Sequence, residues 1–180
     1  NEWGGHALTL SLMAGYLADK HAGAIDKVGE VPAPTVNEPL YQQVTRLLRR
    51  YDEHLSDAER AFMLMFCAFR LLVRESAFSA IFRTATTVTA LNTPITVLDD
   101  AEFDNLVKRL MARRLINPSQ VDGEKAYTTH PLIRAHYEKA LTGHDGAKDH
   151  HKAVADWYQT TVPEDEQDNS PMAKYLRQLR

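Results

Sequence analysis

Ser56-Asp57-Ala58-Glu59 stands just ahead of an unbroken apolar run, Ala61-Phe62-Met63-Leu64-Met65-Phe66-Cys67-Ala68-Phe69. A serine oxygen and a glutamate three residues later satisfy each other's unpaired amides, so a helix starts at Asp57. Between Phe62 and Phe69 it is apolar nearly all round. Such a helix has no face to give to water and has to lie at the centre of a core. The spacing predicts that it runs to about Val73, with the other elements packed around it.

Those elements are read from their periodicity. Leu8, Leu10, Leu12, Met13, Tyr16 and Leu17 share a broad face, which predicts a helix from His6 to about Lys20. Three prolines in Val31-Pro32-Ala33-Pro34-Thr35-Val36-Asn37-Glu38-Pro39 predict an extended linker and a subdomain boundary. Leu40, Val44, Leu47, Leu48, Tyr51 and Leu55 recur at helical spacing. Glu75 to Arg83 reads as a shorter helix carrying Phe78, Ile81 and Phe82. Thr84 to Leu98 stays open: Thr86, Thr87, Val88 and Thr89 favour a strand, whereas a helix-turn-helix order asks for a short helix nearby.

Asp99-Asp100-Ala101-Glu102 caps a helix with Phe103, Leu106, Val107, Leu110 and Met111 inward. Asp122-Gly123 is a two-residue turn, because the glycine tolerates positive φ, and it predicts a hairpin through Ala126-Tyr127-Thr128-Thr129. Pro131 suits a first helical position after His130. That helix is expected to reach about Leu141. Another follows from Ala147 to Thr161, with Val154, Trp157 and Tyr158 as its apolar stripe. Ser170-Pro171 opens a last one.

Net charge is −3 and the pI is near 6.2, so no global positive field recommends nucleic acid or an anionic membrane. No apolar run approaches the roughly 20 residues needed to span a bilayer. We expect no membrane partner, and a cytoplasmic location. The single cysteine, Cys67, excludes an intrachain disulfide and is expected to be a buried, inert thiol. We expect no secretory leader, and the opening at Asn1 inside a motif leads us to expect a piece of a longer protein. His144, His150 and His151 lack ligand spacing, so they are expected to be solvated and no metal is expected. No G-x-x-x-x-G-K-[ST] phrase is present, and no nucleophile elbow. No catalytic residue is assigned.

Three helices followed by a two-stranded wing, at about 57–73, 75–83, 100–114 and 115–129, is the order of a winged helix. The expected fold class is therefore mainly α: a three-helix core with a hairpin wing, flanked by helices. In DNA-binding winged helices the third helix enters the major groove. Here that helix would offer Lys108, Arg109, Arg113 and Arg114 to phosphates. A solvated basic face near a helix C-terminus explains the same residues. Only Asn105 could read a base edge, so no specific nucleic-acid partner is expected.

Three phrases carry a family resemblance. Gly4-Gly5-His6-Ala7-Leu8-Thr9-Leu10 resembles the Gly-x-Pro segment of STAND-type signalling ATPases, with Ala7 where proline is usual. Arg49-Arg50-Tyr51-Asp52 through Phe62 is similar to the start of the winged helix in the NB-ARC members of that superfamily, which serve immunity and apoptosis. Tyr127-Thr128-Thr129-His130-Pro131-Leu132-Ile133-Arg134 resembles their Met-His-Asp region, with Thr129 for the Met and Pro131 for the Asp.

The resemblance implies a nucleotide-gated switch, ADP-bound when off and ATP-bound when on. It implies that Ala7 contacts the adenine and that His130 senses the β-phosphate, presenting a donor and able to become cationic. It divides the chain into the end of a helical subdomain with its linker (1–37), a winged-helix domain (38–142) and the start of a helical repeat-like sensor region (143–180). It places a P-loop domain upstream in the same chain and an oligomer of the parent when active. ADP or ATP would be held by the intact parent and not tightly by this part alone. This part would not itself be an enzyme. The alternative is a DNA-binding winged-helix transcription regulator.

Overall fold

The computed structural model of the protein describes residues 7–30, 39–84 and 89–161. Helix α3, Asp57–Cys67, is the element everything else covers. Its start is the expected box: Ser56 Oγ accepts from the Glu59 amide at 3.3 Å, and Glu59 Oε2 accepts from the Ser56 amide at 2.9 Å. Ala61 through Cys67 are all buried. Phe62 meets the rings of Phe66, Phe78, Phe82 and Phe103, with centroids 4.9 to 6.0 Å apart.

The helix stops at Cys67 and does not reach Val73. Ala68 and Phe69 donate to Met65 and Phe66, so the last turn tightens. Phe69 then folds inward onto Phe82, Trp157 and Tyr158. The chain released in this way supplies a strand, β1, at Val73–Arg74. The sheet therefore has three antiparallel strands where the sequence predicts two. Its order is β1-β3-β2, with β2 at Asn117–Val121 and β3 at Glu124–Thr128. Val73 faces Tyr127 and Arg74 faces Ala126, and the Glu75 amide extends the ladder to the Lys125 carbonyl.

After β1 comes a π turn, Phe78–Phe82, in place of an ordinary short helix. Its wider winding turns Phe78, Ile81 and Phe82 into the core together. The short helix α4, Thr93–Thr96, follows a buried Asn92 whose Oδ1 accepts from the Thr89 amide at 2.7 Å. Helix α5, Asp100–Ala112, has the expected Asp99–Glu102 box. The hairpin turns through Asp122 and Gly123, both at positive φ, as a tight primed turn requires.

Helix α1, Ala7–His21, leads into a 3-10 turn at Ile25–Glu30. Helix α2 is Leu40–Asp52, α6 is Pro131–Thr142 and α7 is Ala147–Thr161. Helix α1 packs on α2, α2 on α6, and α6 on α3. The buried apolar side chains, from Leu12 on α1 to Tyr158 on α7, form one cluster. The chain is mainly helical with one small antiparallel sheet. Among the described residues no helix is long and apolar enough to cross a membrane. The Gly4–His6 opening, the prolines Pro32 and Pro34, the Thr86–Val88 strand tendency and the helix from Ser170 lie outside the described residues.

Candidate functional site

His130 closes the end of α6. Pro131 holds the residue before it extended, and His130 has φ −67° and ψ 141°. From there its Nδ1 accepts from the Leu132 amide at 3.2 Å. A backbone amide only donates, so Nδ1 carries no proton. In the neutral ring the proton is on Nε2, on the far side of the imidazole from the helix. The residue is exposed at the surface, yet partial desolvation by burial holds its pKa below the ordinary histidine value. Protonation at Nδ1 would break the cap. The geometry therefore favours a neutral donor over the cation that the sequence reading allowed.

Three contacts fix this helix start. The buried Thr129 donates from Oγ1 to the Leu115 carbonyl at 2.7 Å. Arg134 reaches from its Nη1 to the Arg70 carbonyl, in the turn between α3 and β1, at 2.6 Å. The Arg134 amide bonds the His130 carbonyl at 3.0 Å. Thr129 and Arg70 could not be assigned these parts from sequence, because the acceptors are backbone carbonyls, of Leu115 and of Arg70 itself, that lie far along the chain from their donors.

Ala7 is the first residue of α1 and is exposed. It and His130 open two helices that both pack on α2. Among the described residues no hydrogen bond, ion pair or ring contact joins them.

Two sequence expectations are corrected. Arg113 does not lie on a solvated basic face. It is 6% exposed, with Nη1 2.9 Å from Glu59 Oε2 and Nη2 3.2 Å from Asp19 Oδ1. The Glu59 contact is an ion pair off the hydrogen-bonding direction. Arg109 joins the cluster, its Nε donating to Glu59 Oε1 at 2.7 Å. Burial raises the pKa of Glu59, but hydrogen bonds from Arg109 and the Ser56 amide, with the charge of Arg113 beside it, outweigh it, so its carboxyl titrates below the usual value.

His150 is not solvated either. It is buried, and its Nε2 donates to the Met65 carbonyl at 2.9 Å. Burial brings its pKa down to about 4. His151 is exposed. Among the described residues no group of three or more His, Cys, Asp or Glu could hold a metal ion. Cys67 is buried as expected, and burial pushes its thiol pKa up, away from nucleophilic chemistry.

Compared with known proteins, the chain matches no family model, and no curated protein is similar to it.

Proposed function

We propose that this chain is the regulatory part of a STAND-type ATPase and that residues 57–129 within it form a winged helix. The order helix, strand, helical turn, helix, hairpin supports that fold, together with a sheet in which the first strand pairs with the last. The division into 1–37, 38–142 and 143–180 belongs to the same proposal. So does a P-loop domain upstream in the parent.

One observation carries the functional reading: the His130 ring spends its lone pair on its own helix and keeps a donor for something else. A phosphate oxygen is an acceptor only, and the start of α6 adds the positive end of a helix dipole. The residues present thus fit a phosphate. In the resting state His130 donates from Nε2 to the β-phosphate of ADP held by the upstream domain, and so latches the winged helix down. When ATP replaces ADP, His130 loses that contact, the winged helix swings and the parent oligomerises. Such a switch works only through a difference in contacts between its two states.

The DNA-binding alternative has less to stand on. Of its four cations, Arg109 and Arg113 are engaged by Glu59, and the exposed part of α5 also carries Asp100 and Asp104.

The test is calorimetry of ADP and a non-hydrolysable ATP analogue on the longer protein carrying the P-loop domain, wild type against His130→Ala. The expected result is a roughly ten- to hundredfold loss of ADP affinity, with a smaller loss for the ATP analogue. Equal losses would shift no equilibrium. An unchanged ADP affinity in a folded variant would leave His130 as a helix cap and overturn the proposal.

A further inference from the structure

A cleft of about 560 Å³ runs between α2 and α6. Tyr41, Thr45, Arg46 and Arg49 line one wall, and His136 and Lys139 line the other. Among the described residues no aspartate or glutamate lines it, although the chain as a whole is acidic. Several cations elsewhere on the surface have carboxylates beside them: Arg50 with Glu53, Arg74 with Asp122, Arg83 with Asp100, and Lys152 with Asp156. Arg49 and Lys139 have none within ion-pair distance among the described residues. The carboxylate of Asp52 is engaged by His136 at 2.8 Å.

The remaining wall is polar and rich in donors. Tyr41 is 57% exposed and has a phenolic hydroxyl to offer, and Gln42 lies next to it. The apolar part is limited to Leu132 and Ala135. That is too little floor for an amphipathic helix, which needs several apolar anchors in a groove. The cleft volume is ordinary for a small ligand. Acceptor-only oxygens with several negative charges match the exposed Arg49 and Lys139 and the hydroxyls beside them.

We propose that the α2–α6 cleft binds an oligophosphate, either free or as the phosphate chain of a nucleotide, with Arg49 and Lys139 as its main charged contacts. This does not rest on the His130 reading. His130 is not among the cleft-lining residues.

The experiment uses the 180-residue chain and inorganic tripolyphosphate, titrated by calorimetry at about 0.15 M salt, where weak surface attraction is screened. Amide chemical shifts of the wild type are followed in parallel. Binding is expected, with shifts confined to residues 41–49 and 132–139. Arg49→Gln combined with Lys139→Gln should weaken it roughly ten- to hundredfold while the circular dichroism stays unchanged. Lys148→Gln, an exposed cation on α7 outside the cleft, should bind as the wild type does, and because this titration needs no P-loop domain the two proposals can fail separately.

ADP in place of tripolyphosphate distinguishes the sources: tighter binding of ADP assigns a nucleotide, and weaker binding assigns a free oligophosphate. No binding, shifts elsewhere, or an unaffected double variant would overturn the proposal. Tighter binding by a glutamate-rich peptide would overturn it too, in favour of an acidic protein partner.

Discussion

The junction of α1, α3 and α5 and the face shared by α2 and α6 both gather arginines, yet they treat them in opposite ways. At the junction Arg113 is covered, and Glu59 and Asp19 stand against its guanidinium. Tyr51 donates to the Leu12 carbonyl at 2.7 Å and lies 3.1 Å from the Arg113 carbonyl. On the open face Arg49 and Lys139 meet water, and His130 turns a donor outward. The same charge is structural where partners and burial close around it, and available for a ligand where they do not. Composition cannot separate the two cases.

The sharpest way to break this contrast is to open the junction. Glu59 holds a helix cap and two arginines at once, so Glu59→Gln leaves the buried Arg113 with Asp19 as its remaining counter-charge. The expected loss is about 3–5 kcal/mol, measured by urea unfolding. A loss under about 1 kcal/mol would mean that the junction behaves like an exposed ion pair.

His150 offers a second, pH-dependent test. His150 is held neutral in the folded chain with a pKa near 4, against 6.5 for the ordinary side chain. Its depressed value means that the unfolded chain binds the extra proton first as pH falls. Its contribution is complete above pH 6.5, declines as pH falls toward 4, and is fully lost below that. The decline should reach about 3 kcal/mol in all. His150→Gln should flatten that part of a stability–pH curve. An unaltered curve would show that the Met65 contact does not govern the docking of α7.

A smaller effect is expected at Gly15. A β-carbon there would sit 2.7 Å from the Arg113 carbonyl oxygen and 2.9 Å from the Tyr51 hydroxyl. Backbone cannot step aside as a flexible side chain can. Gly15→Ala should cost about 1–3 kcal/mol and loosen α1, seen as faster amide exchange along that helix. A neutral outcome would mean that α1 can shift along α5 without loss.

The smallest effect belongs to the open face. His130→Ala should cost only about 1 kcal/mol in thermal unfolding, the usual worth of a helix cap, and His130→Asn should restore it. A much larger loss would move His130 to the closed side of the comparison.

Legibility followed the range of the interaction. Both capping boxes, the Asp122-Gly123 turn and the proline start of α6 depend on residues within four positions, and each stands where its sequence places it. The end of α3 at Cys67 and the existence of β1 depend on pairing with β3, far along the chain, and periodicity carries no trace of either. Arg113 reads as a surface cation because its partners, Asp19 and Glu59, belong to other helices. His150 reads as solvated because the Met65 carbonyl that receives its proton has no signature in sequence. At His130 the helix start was legible, but the tautomer of the ring was not, since that follows from the direction of one amide.

The order of the sheet bears on how the chain reaches this fold. The hairpin of β2 and β3 closes over a two-residue turn, a contact that forms with little loop entropy. Strand β1 has no such neighbour: the Tyr127 hydroxyl and its partner Glu75 are 52 residues apart. A two-residue strand gains too little to close so long a loop alone, so its pairing waits until α3, the π turn and α5 have condensed beneath it. The third strand then works as a seal on a finished core, and the Glu75 amide, bonded to Lys125, becomes a reporter for the final stage of folding.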